Sequence, residues 1–280
     1  MKTILANFFV DGIGEIPGLF SLSHLLYVII ALGLISSLYL LSRKKKKEDL
    51  KKYIKIISII VFGLEILNII WILTLREKVT YEDYVPLYLC SFFIYAALAF
   101  SFIKNEKSII YRFARNFLFY GGISGGLAFI IFPTTALLVF PFLHILSIHS
   151  LIYHVLMVLV ALWMLRIYEP TKHDFKNYVI ILFVLELVII LINYALGSNF
   201  MMLNEPFGLA FFEFFYELIK PIYPFAMGIG QCLVTFMFGI IISRIYNTLV
   251  KKLWNINFFF KNFEANHFLF VNGYAIIESK

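Results

Sequence analysis

The chain consists of apolar stretches about twenty residues long separated by short charged clusters, and few folds accept that pattern. Seven stretches, at roughly 19–42, 54–75, 84–103, 112–132, 143–165, 178–196 and 222–246, each approach the length a helix needs to cross about 30 Å of hydrocarbon. In that medium a backbone must pair its own N–H and C=O groups, so long apolar runs become helices. Soluble chains are about 45–50% apolar and about 25% charged. Here 61% of residues are hydrophobic and 15% charged, which excludes a water-soluble globule. The expected fold is an all-α, polytopic transmembrane helical bundle of about seven spans, multi-pass in the cell membrane. Its expected divisions are an outer N-terminal segment (1–18), a membrane domain (19–250) and a cytoplasmic, aromatic-rich tail (251–280).

The charges test that count. Arg43–Lys55, Lys104–Arg115, Arg166–Lys176 and the segment from Arg244 to the end hold eight, four, three and five basic residues. Seven spans put all four regions on one face, with 20 of the 24 Lys and Arg; Lys2, Arg76, Lys78 and Lys220 fall on the other. The positive-inside bias then places the N-terminus outside and the C-terminus in the cytoplasm. The formal charge of +7 is thus a topology signal without a continuous basic face, and no nucleic-acid partner is expected. Cys90 and Cys232 both lie in apolar stretches, so neither a disulfide framework nor a zinc knuckle is expected. The run from Thr3 to Val10 leads to Asp11 and Glu15 with no small-residue cleavage site, which argues against a cleaved signal peptide.

In the fourth stretch, Gly121, Gly122, Gly125 and Gly126 form two overlapping small-xxx-small pairs, a pattern for close helix approach rather than for a gating hinge. Between 197 and 224, Glu213, Glu217 and Lys220 recur among Phe211, Phe212, Phe214, Phe215 and Leu218, as in a helix lying in the outer interface. The Arg43–Lys47 cluster reads as a topology anchor ahead of an attractor of anionic lipid. Val271-Asn272-Gly273-Tyr274 resembles a hairpin turn. No repeat, direct or inverted, is visible, which disfavours a secondary transporter.

A polar side chain in hydrocarbon needs a partner or a purpose. Those in the spans are His24, Glu65, Asn68, Cys90, His149, His154, Glu186, Asn193, Gln231 and Cys232. At about 1.5 Å per residue, His24, Cys90, Asn193 and His154 share the outer half of the bilayer. A thiol beside an imidazole can become a thiolate nucleophile, whereas a lone cysteine in an apolar site is a small packing residue. His149 and His154, five residues apart, share a helix face poorly, so a metal site is not expected, nor any other cofactor. Glu65 and Asn68 do share a face, with Trp71 one turn further; they form either a structural network or part of a proton-coupled path with Glu186.

Four motifs carry a family resemblance: Phe20-Ser21-Leu22-Ser23-His24, Val85-Pro86-Leu87-Tyr88-Leu89-Cys90, His154 followed by Ala161-Leu162-Trp163, and the run from Asn193 through Asn199 to Met201. From Phe20 to about Ile245 the chain resembles the YwaF-type bacterial integral membrane proteins, whose eukaryotic relative is a membrane acyltransferase making polyunsaturated ether phospholipids. The resemblance implies a bacterial source, a lipid substrate and an acyl-transfer site with Cys90 as nucleophile and His154 as base. His24 and Asn193 are its implied supports, with Glu65, Asn68, Trp71 and Asn199 completing the polar cluster. Tyr88 departs from the pattern, which usually has a histidine two residues before the cysteine. On a helix, two residues would turn Tyr88 about 200° away from Cys90. Two readings therefore compete with a structural bundle: a lipid acyltransferase or ester hydrolase, and a transporter or ligand-binding protein using intramembrane Glu and His.

Overall fold

The computed structural model describes residues 14–76, 78–168, 171–206, 210–245 and 248; the hairpin-like motif at 271–274, the tail from 251 and most of the N-terminal segment lie outside them. Contacts divide the chain into two compact units, Met1–Gly239 and Ile240–Lys280. Among the described residues the α elements, with no strand beside them, are α1 (Leu22–Ser42), α2 (Lys47–Leu75), the single turn α3 (Tyr81–Tyr84), α4 (Phe92–Phe102), α5 (Ile109–Ile131), α6 (Ile145–Ile167), α7 (Lys172–Leu196), α8 (Ala210–Ile219) and α9 (Tyr223–Ile245).

Local chemistry sets these boundaries. Ser21 and Ser108 start α1 and α5 by accepting the backbone N–H three residues on. Thr171 and Asp174 cap α7 reciprocally, and α7 ends at Gly197, whose φ of 61° suits a residue without a Cβ.

Among the described residues five helical segments are long and apolar enough to cross a membrane: α1, α2, α6, α7 and the run Phe211–Ile242. That last run contains α8, the helix expected in the outer connector, joined to α9 by a 3-10 turn at Lys220–Ile222. Two expected stretches differ. The one at 112–132 becomes α5, 23 residues long, in which Arg115, Asn116 and four glycines dilute the hydropathy. The stretch at 84–103 is not one helix: α3 stops at Tyr84, residues 85–91 are irregular, and α4 has 11 residues. Pro86 explains the break, since proline has no N–H and drives its predecessor out of helical backbone; Val85 is extended, at ψ 112°.

The bundle is organised around α6. Half of its apolar window is buried, against 22% for each of the other four candidate spans, and α1, α2 and α5 pack on it. The glycine-rich face of α5 makes the tightest seam. A Cβ added at Gly126 would stand 2.5 Å from Val158 Cγ2, and one at Gly122 would stand 3.0 Å from the Cβ of Ala161. The sequence pattern is therefore a packing device. Opposite this core, leucines and isoleucines such as Leu25, Ile29, Ile56, Ile59, Leu67 and Leu191 are exposed in rows. So much apolar surface is stable only against lipid.

Hydrogen bonds gather three of the basic connectors at one end. Arg166 on α6 donates to the carbonyls of Ser42, Arg43 and Lys45 at 2.9, 3.0 and 2.7 Å, and Trp163 Nε1 donates to Ser42 Oγ at 2.7 Å. The last carbonyls of a helix have no intrahelical partner, so Arg166 acts as a remote C-cap for α1. Arg115 pairs with Asp174 at 2.8 Å, and Lys51 meets Glu106 at 3.5 Å.

Candidate active site

The break at Pro86 puts Cys90 in a turn, one residue before Ser91, the N-cap of α4. The helical rotation expected between Tyr88 and Cys90 therefore does not apply. Ser91 N–H donates to Tyr88 O, and Phe93 N–H donates to Cys90 O. Tyr153 on α6 fixes the turn from across the bundle, its hydroxyl donating to Cys90 O at 2.9 Å.

Cys90 and His154 line one cavity of about 730 Å³, within the range of small-molecule sites. Glu65 and Asn68 line it from α2, and His149, Ser150 and Tyr153 from α6. Most of the remaining lining is apolar, including Ile72, Val85, Phe129, Phe132 and Val234.

His154 is held firmly. Its ring stacks on Phe129 with centroids 3.8 Å apart and 5° between planes. Its Nδ1 lies 2.7 Å from Ser150 O. A carbonyl can only accept, so Nδ1 carries the proton and Nε2 carries the lone pair. Nε2 is buried without a hydrogen-bond partner among the described residues. Among the described residues no hydrogen bond joins it to Cys90.

The other expected residues lie off the cavity lining. His24 sits at the start of α1, where Nδ1 accepts from Phe20 N–H at 3.0 Å, so Nε2 bears the proton: the opposite tautomer to His154. Trp71 packs edge-on against His144 at 5.8 Å. Asn193 and Asn199 build the turn after α7. Asn193 Oδ1 accepts from Phe200 N–H at 2.8 Å and from Ser198 Oγ at 3.0 Å, while its Nδ2 donates to Phe200 O at 2.9 Å. Asn199 N–H donates to Glu82 at 2.7 Å, and Asn199 Oδ1 accepts from Asn204 N–H at 2.9 Å. This scaffold carries Met201 and Met202, at φ 58° and 55°, into the cavity, and Gln231 Nε2 holds Met201 O at 2.8 Å. Left-handed backbone at two successive methionines is costly and persists only where surrounding bonds enforce it.

Asn193→Ala removes three hydrogen bonds and leaves the buried N–H of Phe200 unpaired, at about 1–3 kcal/mol for an unsatisfied group. The expected result is a lower unfolding temperature in thermal denaturation, with Asn193→Asp recovering part of it. An unchanged midpoint in both variants would show that the turn holds without these bonds.

A charged cluster rims the cavity beside α3. Arg76 Nη1 lies 2.6 Å from Asp83 Oδ1, and Thr80 donates its N–H and hydroxyl to Asp83 Oδ2 at 2.7 and 2.9 Å. Burial alone would raise the Asp83 carboxyl; the Thr80 and Arg76 donors outweigh it and hold the group below the usual carboxylate range. Glu186 lies elsewhere, with Oε2 accepting from Cys232 Sγ at 3.8 Å in space left by Gly228. Among the described residues no group of three or more His, Cys, Asp or Glu is placed to hold a metal.

The sequence pattern presents His149 only as a poor metal partner for His154 and gives no place to Ser150, Tyr153, Glu82 and Asp83, all of which line or rim the cavity. The α6 residues carry a signal: 149 and 153, and 150 and 154, are two adjacent i,i+4 rows, and a cavity as wide as this one takes both.

No curated protein and no solved structure significantly matches the chain. The profile of the TMEM164 family matches residues 19–242, which covers every helix from α1 to α8 and most of α9. A helical membrane bundle with a lined internal cavity thus has a family: the chain belongs to the TMEM164 family of multi-pass membrane proteins.

Proposed function

We propose that the protein is a membrane-embedded lipid acyltransferase or lipid ester hydrolase, with Cys90 as nucleophile and His154 as general base. The observation that carries this reading is the shared cavity, in which a thiol and a buried imidazole with an unpartnered Nε2 lone pair meet an apolar lining. Cys90 also stands at the N-terminus of α4, whose dipole favours negative charge there. The resemblance to a family with an acyltransferase relative points the same way.

In the first half-reaction His154 Nε2 takes the thiol proton and the thiolate attacks the ester carbonyl of a lipid. The tetrahedral intermediate collapses, the C–O bond breaks, and the imidazolium returns its proton to the departing hydroxyl. The resulting thioester on Cys90 is then attacked by a lysolipid hydroxyl or by water, with His154 again as base, and the thiol is restored. The Cys90–His154 gap closes as substrate fills the cavity, since catalytic hydrogen bonds often tighten only in the complex. The apolar lining takes the acyl chain, and Glu65 and Asn68 serve the polar end of the substrate. His24, Trp71, Asn193 and Asn199 act as scaffold.

Incubation with an acyl donor lipid, followed by intact-mass analysis, should show one acyl adduct that hydroxylamine removes and that maps to Cys90. An adduct on another residue, or none under turnover, would overturn the assignment. The transport reading needs a polar path through Glu65 and Glu186; Glu186 turns instead toward Cys232 and Gly228, away from the cavity lining.

The basic asymmetry orients the site toward the outer leaflet. Reporter fusions within 44–46 and 105–107 should read cytoplasmic and one within 204–206 external. The reverse pattern would invert the protein and put the site on the inner side.

A further inference from the structure

A second cavity, of about 390 Å³, lies between the start of α2 and the end of α4 and shares no lining residue with the Cys90 cavity. Four lysines line it, Lys51, Lys52, Lys55 and Lys104, against one carboxylate, Glu106. Glu106 is already engaged, by Lys51 Nζ at 3.5 Å and by the Tyr111 hydroxyl at 3.1 Å. Among the described residues Lys52, Lys55 and Lys104 have no carboxylate partner; Lys55 Nζ sits 4.6 Å above the Phe102 ring. Ser101 Oγ, also in the lining, is buried without a hydrogen-bond partner among the described residues.

The flanks are apolar. Phe102, Ile56 and Ile59, at 51%, 53% and 54% exposure, continue from the cavity along the outside of α4 and α2. The cavity therefore sits where charged helix ends meet the lipid-facing surface, a second site in the same unit as the Cys90 cavity. We infer that it binds the phosphate of an anionic phospholipid headgroup from the leaflet at this end of the bundle. The lysines supply excess positive charge, the Ser101 hydroxyl donates to a phosphate oxygen, and the acyl chains lie along Ile56, Ile59 and Phe102. A free phosphate would use only the first two features, so the apolar flank favours the lipid.

The test is native mass spectrometry of the full chain in detergent, titrated with phosphatidylglycerol and with phosphatidylcholine of the same acyl chains. Phosphatidylglycerol should bind at least about tenfold more tightly. The triple variant Lys51→Gln, Lys52→Gln, Lys104→Gln changes exposed side chains only and should bring the two lipids within about twofold. The triple variant Lys44→Gln, Lys45→Gln, Lys47→Gln removes equal charge outside the cavity and should keep the preference. Equal loss in both variants, or loss in neither, would overturn the site in favour of diffuse surface charge or another location. Displacement of phosphatidylglycerol by equimolar inorganic phosphate would overturn the lipid assignment in favour of a plain anion site.

Discussion

Cys90→Ser is expected to give a folded protein whose transfer rate is at least about a thousandfold lower, the scale seen when a nucleophile is removed from a cooperating pair. A serine hydroxyl is far less acidic than a thiol, and behind Nδ1 His154 has the carbonyl and hydroxyl of Ser150, at 2.7 and 3.3 Å, rather than a carboxylate to make it a stronger base. His154→Ala should fall as far, and the double variant little further, because residues acting as one unit are not additive. His154→Gln separates chemistry from packing: it retains bulk against Phe129 but supplies no basic nitrogen, so binding of the lipid should survive while turnover does not. The measurement is release of labelled acyl chain from donor lipid in detergent or nanodiscs. Full activity in Cys90→Ala would make the cysteine a packing residue and turn attention to Glu65 as the polar centre of a binding cavity.

The second large effect falls on stability. Gly126→Leu drives a side chain into Val158 and toward the carbonyl of His154, which lies 3.4 Å from the Cβ position. Overpacking of a close seam costs about 1–3 kcal/mol and occasionally more; this site belongs at the top of that range, because backbone as well as side chain stands in the way. The expected result is a large fall in thermal stability together with lost activity, since the displaced turn of α6 is the one that carries His154. Gly63→Leu is the matched control. Nothing lies within 4 Å of its Cβ position, so it should change neither stability nor activity appreciably. Equal tolerance at both positions would show that α5 and α6 do not pack as described.

The fold class was legible because hydrocarbon imposes so few solutions: twenty-residue apolar runs and alternating basic connectors lead directly to helices α1, α2, α6 and α7. Hydropathy could not register what Pro86 does locally. Residues 84–103 carry no charged side chain and read as one apolar stretch, yet one missing N–H turns the first third into the irregular segment that bears Cys90. Packing of the glycines in α5 was readable from spacing, since small residues three and four apart have one main use in a bundle. The candidate site was readable in part. Cys90, His154, Glu65 and Asn68 meet at the cavity, but equal depth does not bring helices together, and His24 and Asn193 have that depth without lining it. Asn193 spends three side-chain hydrogen bonds on one turn, a role set by the left-handed backbone at Met201 and Met202 and invisible to pattern.

The clasp of Arg166 on the end of α1 has a consequence for how the chain is made. Its guanidinium and the Arg43 carbonyl it holds are 123 residues apart, so α1 leaves the ribosome long before its partner exists. Until α6 is synthesised, the carbonyls at the end of α1 are left to water at the membrane surface, and the face of α1 bearing Ala31 and Ile35 lacks Val155 and Val158. Assembly therefore closes backwards: α6, made later, retrieves α1, and the newly made protein passes through a stage in which α1 lies in the bilayer without its main partner.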